Sequence, residues 1–143
     1  EALAFLASGG GEINGEGFSA KTIFIGGNDS ENILRAGSAC SSLWGGSGGA
    51  DTLIGGAGQD IFFFGKYSGV DVISNASSND VVNLFDVSLS DIVSTNAEGN
   101  VASLYLNTGG TLHIISNENL SPTLQLSDSS WQYNQSSGQW QNA

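Results

Sequence analysis

The sequence predicts an all-β fold: a parallel β-roll of stacked coils followed by an antiparallel β cap. Three observations predict it. Of 143 residues, 21 are Gly, 22 Ser, 13 Asn and 8 Asp, residue types that form turns well and helices poorly. Yet 39% of the chain is hydrophobic, enough to build a core rather than a disordered coil. A glycine-rich cycle also recurs through the first half of the chain, and internal periodicity of this kind marks a solenoid.

The cycle is clearest at Gly55-Gly56-Ala57-Gly58-Gln59-Asp60-Ile61-Phe62-Phe63, an unbroken match to the nonapeptide G-G-x-G-x-D-x-U-x, where U is a large apolar residue. Gly46-Ser47-Gly48-Gly49-Ala50-Asp51-Thr52-Leu53 and Gly26-Gly27-Asn28-Asp29-Ser30-Glu31-Asn32-Ile33 resemble it. With the frame set on the acidic position, the cycle passes through Glu31, Ser41, Asp51, Asp60, Asp71 and Asp80. The residue two places on is Ile33, Leu43, Leu53, Phe62, Ile73 and Val82, apolar every time. Extended outward, the frame reaches Lys21 and Ile23 on one side and Asp91 and Val93 on the other.

The elements follow in order. Residues 1–25 form degenerate strands and a first coil, 26–82 the roll, and 83–143 the cap. Each x-U-x stretch is a short strand with one inward side chain, and the glycines let the chain turn and neighbouring backbones approach. Two strands and two turns make one coil, so acids from alternate repeats share an edge. Glu31, Asp51, Asp71 and Asp91 belong to one edge, and Ser41, Asp60 and Asp80 to the other. Beyond Asp80, short strands are expected at 81–85 and 91–93. Residues 101–106 and 111–115 form a hairpin around Asn107-Thr108-Gly109-Gly110, and further strands fall at 123–126, 131–133 and 139–140. Phe62, Phe63 and Phe64 require cover on both faces of their strand.

Strands stack ~4.8 Å apart. Carboxylates at about that separation repel by roughly 1 kcal/mol in water and ~3 kcal/mol at an effective dielectric of 20. Aligned acids therefore call for a cation. Carboxylates and turn carbonyls are hard oxygen donors, which suit Ca²⁺ with its 6–8 flexible ligands better than Mg²⁺. Zn²⁺ is disfavoured, because one Cys (Cys40) and one His (His113) make no site. The bland alternative is that these acids are ordinary turn residues.

These residues resemble the RTX family, the hemolysin-type calcium-binding repeats. The resemblance covers roughly residues 26–82 and is strongest over 46–63. It implies a parallel β-roll that binds Ca²⁺ in turns shared by successive coils, through Asp side chains and backbone carbonyls. Carried onto this chain, the side-chain ligands are Asp51 and Asp60, with Asp71 and Asp80 one coil on, and Glu31, Asp29 and Asn28 in the first turn. The turn residues are Gly26, Gly46, Gly48, Gly49, Gly55, Ala57, Gly58 and Gly69. Glu31 and Ser41 depart from the family's Asp. Two to four ions are expected. The resemblance also implies type I secretion from a Gram-negative bacterium, with folding on contact with extracellular calcium. The absence of Lys and Arg from Tyr67 to Ala143 is compatible with that family's C-terminal export signal.

Charge excludes other classes. Fourteen acidic residues against three basic ones give a formal charge of −11, which disfavours nucleic acid and anionic membranes. No apolar run reaches the ~20 residues of a spanning helix, and no signal peptide is visible. No catalytic constellation stands out. The chain contains no Met and reads as a piece of something longer; the resemblance implies the C-terminal part of a larger extracellular protein, a secreted enzyme, toxin or adhesin whose own chemistry lies upstream of Glu1. The alternative function is an adhesin or carbohydrate-binding module that displays Trp131, Tyr133 and Trp140 to a glycan or surface partner.

Overall fold

A computed structural model describes residues 2–18, 22–117, 122–134 and 136–143. They form two facing sheets. One has eight strands and the other seven. The chain alternates between the sheets: β1 (Ala2–Leu6), β2 (Gly11–Asn14), β3 (Thr22–Gly26), β4 (Asn32–Arg35), β5 (Cys40–Trp44), β6 (Thr52–Ile54), β7 (Ile61–Phe63), β8 (Val70–Ala76) and β9 (Val81–Asn83). Every pair within this stack is parallel. The expected roll is therefore present, and the first coil, β1 with β2, belongs to it.

The strands are three to seven residues long because each crosses only one face of a narrow roll. Their alternation places Ile23, Ile25, Leu43, Phe62 and Val82 inward from the first sheet and Leu34, Leu53 and Ile73 from the second, each at most 1% exposed. Phe64 is buried as well, while Phe63 faces out and is half-buried. Fully burying a side chain of this size is worth roughly 1.5–3 kcal/mol, so these two apolar rows are the main source of stability.

The C-terminal part differs from a purely antiparallel cap. After β9 the chain leaves the roll through a 3-10 turn at Leu89–Asp91 and the strands β10 (Ile92–Glu98) and β11 (Val101–Leu106). It then returns. β12 (Thr111–Ser116) pairs parallel to β8, with Thr111 beside Val70. β13 (Thr123–Gln125) pairs parallel to β9, with Thr123 beside Val81. The roll thus runs one coil past the expected boundary at residue 82, with an excursion inserted before that coil. The antiparallel strands then close both sheets. β11 and β10 extend one, and β14 (Ser130–Asn134) with β15 (Gln139–Asn142) extends the other. The hairpin expected around Asn107–Gly110 is the β11–β12 pair, with Gly109 at φ +90°.

Candidate metal centre

Four of the acidic positions are struts inside the corners of the roll, not fringes on its surface. Asp51, Asp60, Asp71 and Asp80 are each at most 1% exposed. Each uses Oδ1 to accept the backbone N–H of the corresponding corner residue one coil earlier. Asn32 N–H donates to Asp51 (2.8 Å) and Asp51 N–H to Asp71 (3.0 Å) along one edge. Ser41 N–H donates to Asp60 (3.0 Å) and Asp60 N–H to Asp80 (2.9 Å) along the other. All the struts point the same way, from a later coil to an earlier one. Charge-assisted bonds of this kind are worth about 1.5–3 kcal/mol each.

The second carboxylate oxygens separate the edges. Oδ2 of Asp60 accepts Gly56 N–H (2.8 Å) and Oδ2 of Asp80 accepts Ser77 N–H (2.8 Å), so both acids are bonded at both oxygens. Oδ2 of Asp51 and of Asp71 is buried and has no hydrogen-bond partner among the described residues. Two buried anionic oxygens without donors, one coil apart, are a costly arrangement. Burial pushes the Asp71 carboxyl up to about 7, against the Asp51 N–H bond, and the Asp51 charge adds to the rise. Burial likewise raises Asp51 to about 6, with Glu31 adding. Asp60 also rises to about 6, because burial outweighs the bonds from Gly56 and Ser41.

The frame slips in the first acidic turn. Leu34 points inward and Ile33 is 38% exposed, so the corner residue is Asn32 rather than Glu31. The reason is local. Asn32 Oδ1 accepts Asn28 N–H (3.1 Å), in the manner of Ser41 Oγ with Gly37 N–H and Asp60 with Gly56 N–H. Glu31 and Asp29 are exposed. Where a carboxylate would leave an orphan oxygen, the Asn32 amide donates to the Gly9 carbonyl (2.9 Å), and Asn28 donates to the same oxygen (3.1 Å). The first turn is therefore closed by neutral side chains. The N-terminal frame also shifts, since Ser41 lies beside Ile23, making Ile25 the inward partner. Lys21 lies outside the described residues.

Turn glycines hold the coils close. A Cβ on Gly46 (φ +103°) would lie 2.2 Å from the Asn28 carbonyl oxygen, and one on Gly69 (φ +88°) 2.4 Å from that of Gly49. Gly48 and Gly49 also take positive φ in the turn between β5 and β6, while Gly26 ends β3. Gly55, Ala57 and Gly58 lie on the opposite edge, beside Asp60. Turns 45–50 and 65–70 thus stack carbonyl against backbone beside Asp51 and Asp71.

Among the described residues no group of three or more His, Cys, Asp or Glu could hold a metal. A cation at the Asp51–Asp71 corner would have two carboxylates and main-chain carbonyls. That donor set fits Ca²⁺ and not Zn²⁺. Asp91 stands apart from the ladder. It caps the 3-10 turn through Ser88, pairs with Lys66 (Nζ to Oδ2, 3.2 Å), and is held down at about 2 by its Ser88 bonds above all. The ladder position beside Asp71 in the next coil is Leu112.

Other singled-out residues have ordinary partners. His113 Nδ1 bonds Ser103 Oγ across β11 and β12 (2.7 Å). Cys40 is free and exposed. Trp131 and Trp140 close the end of the core around an apolar cavity of about 180 Å³, the Trp131 indole donates to Ser129 (2.8 Å), and Tyr133 packs edge-on against Trp140. The sequence reading missed Asn32. Its signal was present, since Asn32 is followed two places on by the apolar Leu34. No protein-family model matches this chain, and no curated protein matches it.

Proposed function

We propose that this chain is a calcium-binding β-roll module that completes its fold when Ca²⁺ occupies the Asp51–Asp71 corner. One observation carries the reading: two buried carboxylates, one coil apart, each with an oxygen that no donor among the described residues reaches. A divalent cation would neutralise both and use the stacked turn carbonyls beside them. Asp60 and Asp80 already have donors on both oxygens, so their role is structural. Resemblance to RTX repeats agrees with this and adds the context of type I secretion. With a charge of −11, the chain is self-repelling and easily kept unfolded where calcium is scarce. Extracellular sites bind Ca²⁺ with Kd of ~10⁻⁴–10⁻³ M. An ion present at 100 times its Kd stabilises by ~2.7 kcal/mol, a substantial share of a marginal fold.

The test is thermal unfolding followed by circular dichroism in EDTA, then in millimolar Ca²⁺ or Mg²⁺. The expected result is a rise in Tm with Ca²⁺ that Mg²⁺ does not reproduce and that Asp71→Asn abolishes. A Tm indifferent to Ca²⁺ would overturn the proposal.

A further inference from the structure

The outer face of the first sheet carries a feature that the calcium reading does not use. Its rolled strands β3, β5, β7, β9 and β13 contain no charged residue, although the chain carries 17 charged side chains. Phe24, Trp44 and Phe63 project outward from adjacent strands, and Phe85 follows on the turn after β9. The four rings line a wholly aromatic cleft of about 270 Å³. Phe85 stands edge-on to Trp44, with centroids 6.4 Å apart. The Trp44 indole N–H is shielded and has no acceptor among the described residues. Along the same row, Phe63 is followed by Asn83 and then Gln125, so the aromatic floor passes into amides.

We infer that this face binds an extended neutral polysaccharide, with sugar rings on Trp44 and Phe63 and hydroxyls on Asn83 and Gln125. Ring faces rich in C–H suit the electron-rich faces of aromatic side chains. A few polar groups beside an apolar floor are what orient a small polar ligand. The Trp44 N–H, which has no acceptor among the described residues, is available as one of them. Charge selects the occupant. A second copy of this chain would bring another −11, and an anionic polymer would meet the same field. An uncharged glycan meets neither penalty.

The experiment is affinity electrophoresis and titration calorimetry of the full chain in millimolar Ca²⁺ against hydroxyethyl cellulose, glucomannan and dextran. Carboxymethyl cellulose is the charged control. Binding to at least one neutral polymer is expected, weaker to the charged one. Trp44→Ala should lose affinity about three- to tenfold, the scale of one lost aromatic contact. Tyr105→Ala, on the other sheet, should leave it unchanged. Circular dichroism checks the fold, and Asn83→Ala with Gln125→Ala serves if Trp44→Ala misfolds. No neutral polymer bound, equal binding to the charged polymer, or binding indifferent to these variants overturns the inference. So does a Trp44-dependent dimer in sedimentation, which would make the face a self-contact.

Discussion

Asp71→Asn is expected to stabilise the calcium-free protein while abolishing its response to calcium. Asp71 is wholly buried, and its Oδ1 accepts Asp51 N–H. Asn keeps that acceptor and replaces the orphan Oδ2 with an uncharged amide. Burial lifts the Asp71 carboxyl from 3.8 to about 7. At pH 8 the folded protein must ionise it in place, and a shift of that size corresponds to a ceiling of about 4 kcal/mol. Relaxation lowers this, so a gain of about 2–3 kcal/mol in EDTA is expected. For a chain of this size that is a rise in Tm of roughly 6–12 °C. Asn32 supplies the precedent, since at the same ladder position two coils earlier it bonds through both amide atoms. The assay is differential scanning calorimetry of both proteins at pH 8, in EDTA and in Ca²⁺. An Asp71→Asn protein less stable than the parent in EDTA, or equally stabilised by Ca²⁺, would refute the reasoning.

Three further outcomes are expected. In EDTA, stability should fall as pH rises from about 4 to about 8. The folded pKa values of Asp51, Asp60 and Asp71 lie above 3.8, so the folded state holds more protons and loses that advantage as each ionises; Tm against pH measures it, and Ca²⁺ should flatten the decline above pH 6. Asp60→Ala should cost about 2–4 kcal/mol by urea unfolding, equally with and without Ca²⁺, because it strips acceptors from Ser41 and Gly56 N–H. Gly69→Ala should cost about 2 kcal/mol or more in the same assay, since positive φ and the Gly49 carbonyl both oppose a Cβ.

Much of this architecture is legible in the sequence, because one residue type recurs where one geometric need recurs. Ser41, Asp60 and Asp80 fall on one edge as their spacing predicts. The slip at Glu31 has a plain cause. Ile33 and Leu34 are both apolar, so period alone cannot choose between them, and the choice rests on the bond from Asn28 N–H to Asn32. The excursion between β9 and β12 is not periodic at all. Thr111 beside Val70 is a long-range pairing, set by which apolar strand best covers β8. The difference between Asp51 and Asp60 is likewise hidden in their shared motif. It depends on whether a turn N–H reaches the second oxygen, which is a matter of backbone path.

The one-way struts also say how the stack stops growing. Each corner N–H is received by a side chain one coil later, so the ladder continues only while the next coil offers an acceptor. In the coil that returns after the excursion, Leu112 lies beside Asp71, and Pro122 comes directly before the Thr123 that pairs with Val81. Neither side chain can accept a hydrogen bond. Proline also has no N–H to pass onward. Both ladders therefore terminate in the same coil, just where antiparallel strands take over. The length of the roll is punctuated by two full stops, and replacing them with Asp would remove the chemical instruction that ends the count.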